Sequence, residues 1–268
     1  MAIVKTEAIF LKGTNWRESS RILTAFSRDY GKVKLVAKGA RRPKSKYGAA
    51  LEPLTHAHVI FYMRENRDLY TLSEAGVLDT FEGVKGDLEK FSQAAVASEM
   101  LERSLAPEEA NPGLFHLFIE FLQAMDEVNP AAGRIFLLAF QLNLSAKLGF
   151  EPQIEHCLGC RRKESPAFFF STQMGGILCE RCLRYKDVTA KAISKEALAA
   201  LRHLQVADWE EISGLTLPEA LRKELDAALA GFLEYHEEHR QVLKSTRFMR
   251  AVTRTSDGAV GLGPEGAA

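Results

Sequence analysis

Four cysteines are the residues of this chain best spaced for chemistry. Cys157-Leu158-Gly159-Cys160 and Cys179-Glu180-Arg181-Cys182 form the pattern C-x2-C-x18-C-x2-C and use every cysteine present. Two residues between thiolates let a tight turn aim both sulfurs at one point, and two such knuckles supply the tetrahedral S4 set that Zn²⁺ accepts. Four protein ligands leave no open position for water, so such a site is structural rather than catalytic. The stretch Phe168 to Leu178 reads as a strand, a Gly-Gly turn and a second strand, a hairpin that would carry one knuckle to the other. A redox reading needs one C-x-x-C at a helix start in a βαβ setting, and none occurs. His156, beside the first cysteine, is the one alternative ligand. Arg161, Arg162, Lys163, Arg181, Arg184 and Lys186 surround the knuckles. They balance thiolate charge and form either a solvated rim or a contact for a phosphate backbone.

The second concentration of chemistry is cationic. Between Arg28 and Lys46 lie eight basic side chains (Arg28, Lys32, Lys34, Lys38, Arg41, Arg42, Lys44 and Lys46) against one acid, Asp29. Strand periodicity over residues 31–39 puts Lys32, Lys34 and Lys38 on one face, opposite Val33, Leu35 and Ala37. The strand runs into a loop stiffened by Pro43 and bounded by Gly39 and Gly48. Such a row tracks a sugar-phosphate chain without reading bases, and Arg21 on the preceding strand extends it. Trp16, Phe26, Tyr30, Tyr47, Tyr62 and Tyr70 are candidate stacking platforms, about half of which simply fill the barrel.

These groups need a scaffold. Residues 4–13, 19–27, 31–39, 55–63 and 68–74 are short, β-branched or aromatic, and alternating. Five strands in so short a span suit a small barrel, since closure removes exposed edges. The long connection between the third and fourth strands favours the oligonucleotide-binding (OB) arrangement over an SH3-like barrel or an open sheet. From about residue 85 the period becomes helical. Leu88, Phe91, Ala95 and Leu101 open the first helix; Asn111-Pro112 and Asn129-Pro130 read as cap and first-turn proline for the next two, and Gly149 as a stop. Ser194 caps a helix with Leu198, Leu201 and Leu204, and a last helix after Pro218 presents Leu221, Leu225, Leu229 and Phe232. The expected class is α+β multidomain: an OB-type five-stranded barrel over 1–80, a helical domain over 81–150 and 188–247, a zinc-ribbon-like module inserted at 151–187, and a flexible tail at 248–268.

Lys plus Arg and Asp plus Glu both number 35, so total charge names no partner. The distribution does: residues 1–80 carry 14 basic and 8 acidic side chains, residues 81–150 carry 5 and 10. No signal sequence or membrane-spanning run is visible, which leads to the expectation of a soluble, cytoplasmic and nucleoid-associated protein. Gly261 to Gly266 matches G-x-G-x-x-G but follows no strand and opens no helix. His56 and His58 alternate on a strand as surface residues, and Glu108-Glu109 and Glu237-Glu238 have no geometry for paired acid–base work. No active site is found, and the expectation is a protein that is not an enzyme.

Basic barrel, helical domain and inserted cysteine module together resemble the RecO family of bacterial recombination mediators. The resemblance is carried by residues 18–54, with Gly31 to Leu54 at its centre, and by 148–160 and 170–182 around the cysteines. It implies binding of single- and double-stranded DNA, annealing of complementary strands in recombinational repair, and loading of RecA onto DNA coated by single-strand-binding protein, with RecR as partner and RecF and RecA engaged indirectly. It implies phosphate contact by Lys34, Lys38, Arg41, Arg42, Lys44 and Lys46 and structural zinc on the four cysteines. The residues alone leave open an RNA- or transcription-associated protein, and, less favoured by a closed ligand set, a zinc enzyme. Arg161, Arg162 and Arg184 beside the knuckles are candidates for a second DNA contact.

Overall fold

The computed structural model of the chain describes residues 2–186 and 188–236, with 243, 245, 246, 248, 249 and 252 beyond them. Glu237, Glu238, the Gly261–Gly266 match and most of the expected tail lie outside the described residues.

Five strands open the chain: β1 (Ala2–Trp16), β2 (Ser20–Ser27), β3 (Gly31–Ala37), β4 (His56–Met63) and β5 (Tyr70–Asp79). Their order, β1-β2-β3-β5-β4, closes through the pairing of β1 with β4, and the alternating Val, Leu, Ala and Phe residues fill the interior. β1 is long enough to serve both neighbours, with its first half on β4 and its second on β2. The parallel pairing of β3 with β5 joins only Leu35 to Tyr70 and Val36 to Thr71. The rest of β3 is sealed from outside the barrel. Lys32 forms a parallel bridge with Pro107, and the Glu108 amide donates to the Lys32 carbonyl at 3.1 Å. Gly31, at φ +63°, lies so close to Glu109 that a Cβ would meet its carbonyl oxygen at 2.1 Å.

Helices follow: α1 (Glu82–Lys85), α2 (Leu88–Ser104), α3 (Pro112–Glu127) and α4 (Gly133–Lys147). Asn111 caps α3, its side chain accepting from the Leu114 amide at 3.0 Å, with Pro112 in the first turn. Asn129-Pro130 differs from expectation: it opens a 3-10 turn over Pro130–Ala132, and α4 starts only at Gly133, which packs against Gln93 of α2. Gly149, at φ +86°, ends that helix region as expected. In α2 the buried face is rotated from the expected one. Lys90, Gln93, Ala94, Ala97 and Leu101 face inward, whereas Leu88 is 60% exposed. Lys90 is accepted there because its Nζ donates to the Asp126 carbonyl at the end of α3.

A three-stranded sheet, β6 (Phe168–Ser171), β7 (Gly176–Cys179) and β8 (Lys191–Ile193), holds the cysteine region, with α5 (Glu180–Leu183) between β7 and β8. The β6–β7 hairpin is the expected one; β8 is an addition that ties it to the second group of helices. These are α6 (Lys195–Val206), capped by Ser194, α7 (Trp209–Ser213), α8 (Glu219–Leu229) and α9 (Phe232–His236). Gly231, at φ +74°, separates Phe232 from the helix on which the apolar pattern placed it. One continuous core joins Phe118, Phe121, Phe136 and Phe140 to Ile177 and Leu178 of the cysteine hairpin and to Leu201 and Leu225. It reaches the barrel at Ile9, Leu11 and Phe26, where Phe26 meets Phe115 edge-on at 5.6 Å. His56 lies at the same seam, not on the surface: it bonds Glu7 at 3.2 Å and stands edge-on to Phe115. Burial pulls its pKa down against the pull of Glu7.

Candidate metal centre and nucleic-acid interface

The β6–β7 hairpin and the Gly149–Cys160 segment are stitched together by Gln153, whose amide donates to Gly175 O and whose carbonyl accepts from Ile177 N. Gly176 is needed there, since a Cβ would lie 2.2 Å from the Gln153 oxygen. This register delivers all four sulfurs to within 4.8 Å of one another, with Cys160 and Cys179 Sγ 3.7 Å apart. Metal–sulfur bonds of about 2.3 Å require tetrahedron edges of about 3.8 Å, so the set fits a tetrahedral ion. It does not fit a disulfide, whose sulfurs bond at about 2.0 Å.

The surroundings favour thiolate. Cys157 Sγ accepts from the amides of Gly159 and Cys179, each at 3.3 Å, and Cys160 Sγ accepts from Arg162 Nε at 3.2 Å. The Arg162 amide is the main cause that brings the Cys160 thiol down to about 6. At Cys157 burial works the other way, but amide donors outweigh it and the pKa is lowered. Burial and the neighbouring sulfurs push Cys182 up to about 12. Four sulfurs this close cannot all ionise unaided, and a divalent cation resolves the conflict. Gly159 leaves the space it must, since a Cβ there would stand 2.7 Å from Cys182 Sγ. Arg161 takes the left-handed turn position, φ +60°, that a glycine would occupy without strain.

Around this centre Arg161, Arg162, Lys163, Arg181, Arg184 and Lys186 are exposed. Arg162 is bonded to Cys160, and Arg184 is ion-paired with Glu180. The cations lie on both knuckles, so the sulfur cluster brings together residues more than twenty positions apart.

On the barrel, the connection after β3 is an ordered turn structure. The Arg42 amide donates to Gly39 O and the Ser45 amide to Arg42 O, at 3.1 and 3.0 Å. Arg41 pins it to the β1–β2 turn: its amide donates to Ser19 O at 3.0 Å and its guanidinium to Glu18 O at 3.1 Å. Lys34, Lys38, Arg41, Arg42, Lys44 and Lys46 are all exposed, and none makes an ion pair with an acidic side chain among the described residues. Two expected members of the row are used internally. Lys32 Nζ donates to the Glu102 carbonyl at 2.7 Å, and burial lowers its pKa. Arg21 is ion-paired with Glu52 at 3.0 Å and lies across Gly13, where any Cβ would collide with its guanidinium.

The aromatics divide the same way. Phe26, Tyr47 and Tyr70 are buried; Tyr47 Oη donates to Leu72 O at 2.9 Å and Tyr70 Oη to Glu108 at 2.6 Å. Tyr30 leans on Phe61, which leaves Trp16 and Tyr62 the more open rings of the barrel. Arg17 went unnoticed in the sequence. It is exposed on the β1–β2 turn, with its guanidinium 4.2 Å over the Trp16 ring, and the adjacency Trp16-Arg17 in a turn was its only signal.

With this geometry in hand, the comparisons with known proteins are concordant. "Recombination protein O N terminal" matches residues 1–81, the barrel, and "Recombination protein O C terminal" matches residues 85–246. The chain is similar to the DNA repair protein RecO of Caldanaerobacter subterraneus subsp. tengcongensis, 34% identical over 239 residues that cover 89% of this chain and 94% of that one. It is similar also to the proteins of that name from Halalkalibacterium halodurans (29% identity, 91% and 93% coverage) and Bacillus subtilis (28% identity, 92% and 94% coverage). Matched in chain order by both halves of the family and aligned along most of its length, the chain belongs to the RecO family of DNA repair and recombination proteins.

Proposed function

We propose that this chain is a DNA-binding recombination mediator that works without covalent chemistry. On this reading the barrel is of the OB type, its strand order β1-β2-β3-β5-β4 being the one that favours that assignment. It grips single- and double-stranded DNA through phosphate, anneals complementary strands, and with RecR helps RecA load onto DNA coated by single-strand-binding protein. The cysteines hold structural Zn²⁺, which supplies rigidity to the knuckles and no reaction step. Annealing needs two mutually repelling strands held close with their bases free, and cations that neutralise phosphate without reading base edges provide that.

The observation that carries the reading is the ordered loop after β3. Among the described residues its exposed cations have no carboxylate partners, while Lys32 and Arg21 beside them have partners inside the protein. The cations on the knuckles supply a second surface, so that each surface holds one strand. The test is annealing of complementary oligonucleotides precoated with single-strand-binding protein, with and without RecR. Acceleration over the protein-free rate is expected, with Arg161, Arg162 and Arg184 mattering more for annealing than for simple binding. No acceleration in either condition, or stronger binding to RNA than to DNA of the same sequence, overturns it.

A further inference from the structure

Tyr185 is 86% exposed, more than any other large hydrophobic residue among those described. Its position is fixed all the same. It sits on the turn that leaves α5, where the Arg184 amide donates to Glu180 O, the Tyr185 amide to Cys182 O and the Lys186 amide to Leu183 O. That turn begins at Cys182, so the backbone that carries the ring is tied to the sulfur cluster. Among the described residues it has no aromatic neighbour, and no cation lies over it. Arg184 and Lys186 flank it in sequence, Arg181 stands one turn earlier, and Arg161 and Arg162 follow the facing knuckle.

An apolar ring left in water normally finds cover, and a ring between cations has a specific complement. A nucleobase covers the face of the ring while phosphates on either side meet the cations. A duplex cannot do this, because its bases are already stacked. The charge balance permits it: six cations surround the knuckles from Arg161 to Lys186, against Glu164, Glu180 and the two negative charges of a zinc tetrathiolate. The barrel cannot supply the same contact so readily, since three of its six candidate rings are buried.

We infer that Tyr185, set between Arg184 and Lys186 on the second cysteine knuckle, is a base-stacking residue that gives the zinc module a site for single-stranded nucleic acid. The inference rests on the nucleic-acid reading above and assigns the second surface its contact with bases.

The experiment uses the full chain with Lys34, Lys38, Arg41, Arg42, Lys44 and Lys46 all changed to Ala, so that residual binding reports the knuckles. In that background Tyr185→Ala is expected to weaken binding of an oligo-dT strand at least fivefold, Tyr185→Phe to restore it, and binding of a duplex of equal length to stay unchanged. In the unmodified protein, an oligonucleotide carrying 5-iododeoxyuridine is expected to photo-cross-link to the peptide containing Tyr185. If Arg161→Ala with Arg162→Ala and Arg184→Ala weakens single-strand binding but Tyr185→Ala does not, the stacking role is overturned and the phosphate-gripping function stands. If none of these changes matters and no cross-link forms at the knuckle, the module holds no strand and the inference fails, while binding by the unmodified barrel loop still decides the broader reading. Equal loss on single strand and duplex also overturns it.

Discussion

The loop after β3 and the two cysteine knuckles both present exposed cations, but they are held by different means. The loop rests on a hydrophobic interior. Tyr47 and Leu51 are buried beneath it, and Arg41 ties it to the β1–β2 turn. The knuckles are joined through a hairpin of two four-residue strands and bring four sulfurs within 4.8 Å of one another. The difference governs what each surface has left to offer. In the barrel, Phe26, Tyr47 and Tyr70 are consumed in making the fold, so the surface has mainly charge to offer. At the knuckles, Ile177 and Leu178 of the hairpin join the main core and four sulfurs gather beside it, while Tyr185 stays outside.

That contrast can be broken most severely at the cysteine cluster. Cys179→Ser removes a buried member of the proposed zinc set, and structural zinc sites contribute apparent free energies of about 10–16 kcal/mol in isolated peptides. Within this larger core a loss above about 4 kcal/mol is expected, together with zinc falling from one per chain to none. Metal analysis and urea unfolding check it. If the two regions are held independently, oligonucleotide binding through the barrel loop survives at temperatures where the variant stays folded.

A smaller break is available at the barrel's own seam. Gly31→Ala imposes a side chain at φ +63° and drives its Cβ into the Glu109 carbonyl. A destabilisation of about 2–3 kcal/mol is expected, read by urea unfolding, with zinc content unchanged. A neutral result would mean that the Pro107–Glu109 segment does not seal β3 in solution.

The smallest effect sharpens the comparison. Arg161→Gly relieves a left-handed residue, a gain of up to about 1 kcal/mol, while deleting a cation. Stability of the module and strand annealing should therefore move in opposite directions. A scaffold arginine with no ligand would show only the first change.

What could be read in the sequence was local. The cysteine spacing, the cap at Asn111, the stop at Gly149 and the alternation of five strands depend on neighbours within a turn or a hairpin, and the structure contains each of them. What could not be read depends on distant partners. Leu88 looked like a core residue because it begins an apolar series, yet the inward face of α2 was chosen by the carbonyl of Asp126 and the close passage of Gly133. Lys32 looked like one of a cationic row, and only contact with Glu102, seventy residues on, removes it. The same is true of His56, whose place against Phe115 exists only once the barrel docks on α3. At the candidate sites the cysteines were legible because metal ligation demands a fixed spacing. Tyr185 was not, because exposure has no periodic signature.

The most direct measurement is the salt dependence of binding to a non-specific single-stranded oligonucleotide, for the unmodified protein and for the variant with Arg41, Arg42, Lys44 and Lys46 changed to Ala. Six exposed cations, Lys34 and Lys38 with those four, give an expected slope of log K against log[salt] near −4, about −0.7 for each phosphate neutralised. The variant should flatten to about −1.4 by the same rule and bind far more weakly at low salt. Equal slopes and equal affinities for the two proteins would contradict the claim that this loop grips the phosphate chain.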